Sequence, residues 1–254
     1  MNDMPTSPVE PSARTPAPTA SIVAEWRHLG AFLKRPTLAP AAPGTPALAT
    51  VLRIYALDMG IMFVLVGIAA LVVTLGVDLP ETALAGIEIT WLIALGVIVA
   101  APVFEEILFR SWLSGKLGHI LALLAIVAGG AVFVAFNAGV ALLGALAPLL
   151  GVVAAITALV MLRGRPPMGW FARVFPLFFW GSTLAFALIH LGNFDPEDAG
   201  GSLAMLLPLV IPQFVLGALL GYLRVRIGLW AAILLHALHN ATALGIAALA
   251  MNAA

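Results

Sequence analysis

Long apolar runs fill the chain from residue 51 almost to its end, and they constrain its fold more than any other sequence feature. We count seven, each near or above the ~20 residues that a helix needs to cross the hydrocarbon core of a bilayer. The runs are approximately Tyr55–Val77, Ile87–Lys116, Leu117–Phe136, Gly139–Leu162, Val174–Leu191, Leu203–Leu223 and Leu229–Met251. Only helices and closed barrels span lipid, and the sequence has no alternating strand pattern. It therefore predicts an all-α, polytopic transmembrane helix bundle of about seven spans.

Composition excludes most other classes of protein. Hydrophobic residues make up 62% of the 254 residues and charged residues only 9%, whereas soluble domains carry about 25% charged residues. The net charge is zero, so no basic surface for nucleic acid is expected. The chain has no cysteine, which excludes disulfides, thiolate catalysis and cysteine-ligated metals.

The first 50 residues differ in composition and form a predicted N-terminal lead. Residues 1–20 are rich in Pro, Ser, Thr and Ala without apolar periodicity, which predicts disorder. In residues 21–35, four apolar side chains recur at helical spacing: Ile22, Trp26, Leu29 and Phe32. That pattern is typical of a short amphipathic helix at the membrane interface. The expected division is a lead over 1–50 and a transmembrane, protease-like helical domain over 51–254.

The distribution of charge predicts the orientation of the chain in the membrane. When seven spans are threaded, all 12 lysines and arginines fall on the same side as the N-terminus. The opposite loops carry acidic residues and no basic ones: Asp78, Glu81, Asp195, Glu197 and Asp198. The positive-inside rule then predicts a cytoplasmic N-terminus and an external C-terminus. We expect an integral membrane protein, located in a bacterial inner membrane.

Two adjacent glutamates lie inside the second run, in the segment Pro102–Arg110. Charge inside a membrane segment costs at least ~2.5–3.5 kcal/mol per residue near the bilayer centre, so these residues need an explanation. Glu106 and Arg110 are four residues apart and can pair on one helix face. Glu105 is turned about 100° from Glu106, so it is free to face a cavity. The alternative is that both acids lie at the interface, after a span that stops near Val103.

Two later runs also carry polar residues. His190 ends Phe186-Ala-Leu-Ile-His190, and the last run contains His236-Ala-Leu-His239-Asn240. Taken singly, such residues more often form hydrogen bonds between packed helices. Together with Glu105 they form a hydrolytic set, because a glutamate takes a proton from water, a histidine orients that water, and a His–Asn pair donates to an oxyanion.

The same set could alternatively hold a metal. Glu105, His190 and His236 offer the carboxylate and imidazole donors that a divalent cation such as zinc takes. The helix motif H-E-x-x-H, which marks many zinc proteases, is absent from the chain. The sequence therefore leaves the choice between a divalent metal and no cofactor open.

These three motifs, in this order and spacing, resemble those of the CPBP intramembrane protease family, which includes the type II CAAX prenyl endopeptidases and their bacterial relatives. Family members share E-E-x-x-x-R, F-x-x-x-H and late H-x-x-x-N motifs. The matching residues here are Glu105, Glu106, Arg110, Phe186, His190, His236 and Asn240. The resemblance covers roughly residues 90–245. One departure is Ser111, where relatives often carry glycine.

The resemblance implies a role for each matching residue. Glu105 would be the general base, His190 would hold and polarise the attacking water, and His236 with Asn240 would stabilise the oxyanion. The supporting residues would be Glu106, Arg110 and Phe186. The resemblance implies a membrane peptidase whose partners are lipids and a membrane-associated or lipidated polypeptide substrate, without nucleic acid. It leaves both the metal and the oligomeric state open.

Two other functions remain open at this stage. One is a non-enzymatic immunity or assembly protein on the same scaffold, although such a protein need not retain costly intramembrane polar groups. The other is a small proton-coupled transporter, because intramembrane Glu and His suit proton relays, but no inverted repeat is visible. Outside the motifs, we expect Asp58 at the cytoplasmic interface and Gly129-Gly130 at a close helix contact.

Overall fold

The computed structural model describes residues 21–80, 88–136, 141–194 and 206–253. Among these residues, six helical segments are long and apolar enough to cross a membrane. They are Ala47–Thr74, Trp91–Ser114, Leu117–Phe136, Phe175–Asn193, Leu207–Arg226 and Leu229–Leu249. The predicted all-α polytopic bundle is thereby confirmed. The run predicted over Gly139–Leu162 is a helix over Ala141–Met161, whose apolar part, Leu146–Met161, is shorter than the six. The lead predicted to be disordered, 1–20, lies outside the described residues.

The described α-helices are, in chain order, α1 (Ile22–Lys34), α2 (Ala47–Thr74), α3 (Trp91–Leu95), α4 (Ala101–Arg110), α5 (Leu117–Phe136), α6 (Ala141–Met161), α7 (Gly169–Arg173), α8 (Phe175–Ile189), α9 (Ile211–Arg226) and α10 (Leu229–Ala253). A π-helix, Gly96–Ala100, joins α3 and α4 into one continuous span. Short 3₁₀ turns follow α4 and α8 and precede α9: Ser111–Ser114, His190–Asn193 and Leu207–Val210.

The helix α1 occupies the segment for which an amphipathic helix is predicted, and its apolar face is buried in the bundle. Leu29 and Phe32 are both buried. The Phe32 ring packs edge-on against Tyr222 of α9, with 5.2 Å between ring centroids. Glu25 is buried on the same helix and accepts a hydrogen bond from the Tyr222 hydroxyl. Apolar and polar contacts together therefore attach α1 to α9.

The helix α9 is the centre of the bundle. Half of the residues in the most apolar stretch of its span, Leu207–Arg226, are buried, whereas only 6% of those in the corresponding stretch of α2 are. Helices α2, α8 and α10 all pack against it. A small residue allows the approach of α8, because a Cβ atom at Gly221 would lie 2.7 Å from Cε2 of Phe179. The residues that carry the polar motifs are thereby assembled around one buried helix.

Helices α5 and α6 form an antiparallel pair held together through small residues. A Cβ atom added at Gly129 would lie 2.7 Å from the carbonyl oxygen of Ala147, and one at Gly151 would lie 2.6 Å from that of Ala125. The two backbones are thus in direct contact, as small residues allow in membrane helix pairs. The expectation of a close contact is confirmed for Gly129 but is wrong for Gly130, where an added Cβ would meet nothing within 4 Å.

The π-helix before α4 has a specific partner in α10. The N–H of Ala101 donates to the carbonyl of Gly96, five residues earlier. In that register the next donor would be the N–H of Pro102, bonding to Val97, but proline has no N–H. The side chain of Asn240 takes its place, since its Nδ2 donates to the Val97 oxygen at 2.8 Å. The backbone carbonyl that lacks a donor in this span is therefore bonded by Asn240, a motif residue of α10.

Candidate active site

The side chain of Glu105 in α4 lies between two histidines that come from other helices. His190 follows the last turn of α8, and His236 lies in α10. The Nε2 atoms of both histidines are 3.8 Å from Oε2 of Glu105. This oxygen is buried and makes no hydrogen bond within the described structure, while the side chain as a whole is 29% exposed. The fold thus brings together three of the four residues predicted to be catalytic.

Glu106, turned about 100° from Glu105 on α4, is fully buried. Its Oε1 accepts a hydrogen bond from Nη1 of Arg110 at 2.9 Å, as the four-residue spacing predicts. The same oxygen accepts a second one from Nδ1 of His236 at 3.0 Å. Burying a charge requires a partner of opposite sign, and Arg110 supplies it. Glu106 therefore connects its ion pair with Arg110 to the imidazole ring of His236, which belongs to the candidate site.

Phe186 supports the site through both its ring and its backbone. The guanidinium carbon of Arg110 lies 3.8 Å from the ring centroid, within the range of cation–π attraction. The Phe186 carbonyl accepts a hydrogen bond from Nδ1 of His190 at 2.7 Å. Space for this arrangement comes from Gly217 in α9, where a Cβ atom would lie 3.1 Å from the Phe186 ring and 3.2 Å from Nη2 of Arg110.

The partners of the two histidines determine which nitrogen of each ring carries a hydrogen. A backbone carbonyl only accepts, so Nδ1 of His190 donates, and Nδ1 of His236 donates to the Glu106 carboxylate in the same way. In their neutral forms both rings then present a lone pair on Nε2 toward Glu105. Three acceptor atoms converge there, and a water molecule can donate hydrogens to two of them.

Asn240, the fourth residue predicted to be catalytic, lies one turn from His236 on the same helix. One of the two N–H bonds of its amide is used by Val97. The second N–H remains for another acceptor. The contact with the π-helix fixes the plane of the amide and therefore the direction of this second N–H.

A cavity of about 330 Å³ opens beside Glu105, between α4, α5 and the turn after α8. Its wall is apolar except at Glu105, His190 and Asn193. The apolar lining residues are Phe104, Ile107, Leu108, Phe109, Leu123, Ile126, Val127 and Ile189. The volume is at the lower end of the range for ligand sites. Asn193 is not predicted from the sequence, in which its only signal is its position three residues after His190.

Asp58, expected at the cytoplasmic interface, is fully buried within α2. Its Oδ2 accepts a hydrogen bond from Nδ1 of His239 at 2.8 Å. Asp58 and His239 each stand out in the sequence, because each is a polar residue in a long apolar run. Nothing in the sequence indicates that they meet, since α2 and α10 are far apart in the chain.

The donor atoms at the site resemble those of catalytic zinc centres. Glu105, His190 and His236 supply the carboxylate and imidazole ligands that zinc takes. Both histidines also have Nδ1 fixed by a hydrogen bond, as metal-bound histidines do. However, no group of three or more His, Asp or Glu side chains in the described residues has an arrangement that could hold a metal ion.

Comparison with known proteins assigns the chain to a family. The family described as Type II CAAX prenyl endopeptidase Rce1-like matches residues 87–242, which is more than half of the chain. No curated protein and no solved structure matches it. The matched range contains the whole Glu105 site, four of the six long apolar segments and most of a fifth, Leu229–Leu249. The chain therefore belongs to the Rce1-like family of type II CAAX prenyl endopeptidases and is an integral membrane protease.

Proposed function

We propose that this protein hydrolyses peptide bonds of membrane-associated or lipidated polypeptides, with Glu105 as the base that activates water. The observation that carries this proposal is the convergence of His190 and His236 on Glu105, each with Nε2 3.8 Å from the same carboxylate oxygen. The family of the chain supports the reaction class. We infer CAAX-type, prenylated chain ends as the substrate class from the family description alone.

The first chemical step is addition of water to the scissile carbonyl. A water held by Glu105 and Nε2 of His190 gives a proton to the Glu105 carboxylate while its oxygen attacks the carbonyl carbon. A carbon–oxygen bond forms, and the carbonyl electrons move onto the oxygen as an oxyanion. Since this step needs the water aligned with the carbonyl, His190 acts mainly by orientation.

The oxyanion requires hydrogen-bond donors, and α10 offers two. One is the second N–H of Asn240. The other is Nε2–H of His236 in its imidazolium form, since Nδ1 already donates to Glu106. The Glu106 carboxylate stabilises that cation. In the second step, the protonated Glu105 gives its proton to the leaving nitrogen, and the carbon–nitrogen bond breaks as the carbonyl reforms.

The cavity supports a substrate with an apolar segment next to the scissile bond. Eight of its lining side chains are apolar and belong to α4, α5 and α8, whereas its polar lining residues are Glu105, His190 and Asn193. An apolar side chain or lipid placed there would leave the peptide carbonyl near the carboxylate. Binding energy from contacts away from the scissile bond would then help to orient that bond for attack by water.

We also propose that the chain crosses the membrane with its N-terminus in the cytoplasm and its C-terminus outside, in a bacterial inner membrane. The exposed basic residues of the segment between α6 and α8, Arg163, Arg165 and Arg173, support this orientation. In this orientation Glu105 lies nearer the cytoplasmic end of its span, Trp91–Ser114, which suits a substrate whose modified end enters from the cytoplasm.

The test uses purified full-length protein in nanodiscs with a quenched lipidated-peptide library, read by mass spectrometry. Wild type, Glu105→Gln and Glu88→Gln are compared, because Glu88 is an exposed acid that precedes the same span. We expect cleavage by wild type and Glu88→Gln and none by Glu105→Gln. Equal cleavage by all three would contradict the role of Glu105. Proton flux through wild type without Glu105-dependent cleavage would instead support a transporter.

A chelator arm addresses the cofactor. We propose that turnover proceeds through the protein groups alone, so it should survive prolonged incubation with a strong zinc chelator. Loss of turnover that added zinc restores, with zinc bound by wild type and not by a His190→Gln variant, would assign a metal to the site. The same protein samples and the same substrate then decide between turnover by the protein groups alone and turnover that needs a bound metal.

A further inference from the structure

A second carboxylate–imidazole pair lies in the bundle next to the candidate site and has no part in the chemistry described above. His239 of α10 donates from Nδ1 to Oδ2 of Asp58 in α2 at 2.8 Å. The Asp58 side chain is fully buried, and that of His239 is 16% exposed. An aspartate in an apolar membrane helix is costly, so its retention calls for a function.

The pair is one of three polar contacts that fix α10 within little more than one helical turn. His236 bonds to Glu106 of α4, His239 to Asp58 of α2, and Asn240 to Val97 of the π-helix. Glu106 and Val97 both lie in the continuous span Trp91–Ser114, which α10 meets through His236 and Asn240 on one face, whereas Asp58 lies in α2, which α10 meets through His239 on another side.

These contacts determine both the rotation and the axial position of α10. A shift of α10 by one residue would rotate its side chains by about 100°. Apolar packing resists such a shift only weakly, since lipid tails are as apolar as the side chains that would be exposed. Hydrogen bonds to two different spans, from two sides of α10, oppose such a rotation. They hold α10 in the rotation in which Nε2 of His236 faces Glu105.

We propose that Asp58 and His239 are positioning residues, which hold α10 so that His236 and Asn240 are directed at the reacting carbonyl. This inference rests on the proposed function, since it assigns the pair a role in the same reaction. Neither residue touches the substrate. Their effect is on the probability that the oxyanion donors are aligned when water attacks, and a misplacement of 1 Å can lower a rate by about 100-fold.

The decisive variant replaces both partners by apolar residues, Asp58→Leu with His239→Leu. Removing one partner alone leaves a buried polar group unsatisfied, whereas replacing both can leave stability nearly unchanged. We expect the double variant to keep the thermal unfolding temperature of wild type but to lose about 100-fold in kcat, with KM unchanged. The single variant Asp58→Asn, whose amide oxygen still accepts from Nδ1 of His239, should retain most of the wild-type rate.

The chain offers a matched control at the same helix pair. The hydroxyl groups of Tyr55 and Thr242 form a hydrogen bond between α2 and α10, about one turn from the proposed pair. Tyr55→Phe removes this bond without touching Asp58 or His239. If loss of any hydrogen bond between α2 and α10 were enough, Tyr55→Phe and the double variant would lose kcat to the same extent, and the inference would be overturned.

A second readout does not depend on cleavage. In protein labelled with ¹⁵N-histidine, the Nδ1 signal of His236, assigned by its absence in His236→Gln, reports the hydrogen bond to Glu106. We expect this signal to move in the double variant and to stay in place in Tyr55→Phe. An unmoved signal would overturn the inference.

The outcomes for the two proposals are separable. If wild-type cleavage does not require Glu105, the proposed function fails whatever the His236 signal does. If cleavage requires Glu105 and the double variant, Asp58→Leu with His239→Leu, turns over like wild type, only the positioning role fails.

Discussion

Glu105 and Glu106 are neighbours in the chain but lie in opposite environments: the Glu106 side chain is fully buried, and that of Glu105 is 29% exposed. The helix turns about 100° between them. As a result, Glu106 faces Arg110 and the interior, and Glu105 faces the cavity. The same substitution at the two positions should therefore have two different consequences.

At Glu105, replacement by glutamine should remove activity and preserve the fold. The amide has nearly the same shape but takes no proton from water, and general-base catalysis contributes about 10²–10⁴-fold to a rate. Because Oε2 of Glu105 makes no hydrogen bond in the described structure, the unfolding temperature in detergent should not fall. Activity is measured on the cleaved peptide, and a variant with wild-type kcat contradicts the assignment.

At Glu106, the same replacement should act first on stability. Arg110 is fully buried, and without the carboxylate its charge has no counter-ion on that side of α4. Removing one partner of a buried ion pair costs about 3 kcal/mol or more. Denaturant titration in mixed micelles measures this free energy of unfolding. An unfolding curve that superimposes on that of wild type would show that the pair does not stabilise the fold.

Gly129 and Gly130 provide a matched pair for testing the contact between α5 and α6. A methyl group at Gly129 would overlap the backbone of α6, whereas one at Gly130 meets nothing within 4 Å. We expect Gly129→Ala to destabilise the protein by about 1–3 kcal/mol, as overpacking does. Gly130→Ala should be neutral or stabilising by up to about 1 kcal/mol, because alanine favours the helix. Equal unfolding temperatures for the two variants would contradict the observed packing.

The contact between α1 and α9 should make stability depend on pH. The pKa of His28 lies below its usual range because the ring is partly buried and the nearby Arg226 guanidinium repels its charged form, an effect that Glu25 partly opposes. In the unfolded chain this ring takes up a proton near its ordinary pKa of 6.5. The unfolded state therefore binds more protons than the folded state just below that pH, and stability falls as the pH is lowered through it.

A His28→Gln variant isolates this contribution. Its unfolding temperature should fall less than that of wild type between pH 7 and the acid side of 6.5, because the group that titrates differently in the two states is gone. All other titratable groups are common to both proteins. Parallel curves for the two proteins would show that His28 contributes no pH dependence.

The orientation of the chain is testable by cysteine labelling without background labelling of native cysteines, since the chain has none. Single cysteines are introduced at exposed positions before and after the spans, as Thr37→Cys and Met251→Cys. A membrane-impermeant maleimide applied to intact cells should label the second and not the first. Labelling of neither or of both would mean an even number of crossings, and α6 would then be the segment that does not cross.

Much of the fold follows from the sequence because a bilayer leaves few alternatives. Apolar runs of sufficient length must be helices, and the predicted run over Leu117–Phe136 coincides with α5. The pairing of Glu106 with Arg110 is local, so their spacing alone predicts it. The meeting of Glu105 with His190 and His236 is not local. The sequence predicts it only through resemblance to a family whose motifs occur in the same order.

Other parts of the structure could not be predicted, for physical reasons. Asp58 and His239 lie on helices at opposite ends of the chain, and hydrophobic periodicity does not reveal which faces meet in a bundle where both sides are apolar. The π-helix before Pro102 carries no compositional signal, since π-turns are single extra residues in a helical pattern. Its carbonyl contact with Asn240 is visible only once α10 is in place.

The π-helix has a consequence for how this chain can vary. Because a π-turn holds one more residue than an α-turn, the part of the span before it and the part after it are out of phase by about 100°. Deleting a single residue between Gly96 and Ala100 would convert the segment to a regular α-helix and rotate Trp91 relative to Glu105. The outer half of the span would turn a new face to the lipid, and Asn240 would lose the Val97 carbonyl that it contacts in the π-helix. A length change in this short segment therefore alters the membrane-facing surface and the setting of Asn240 together.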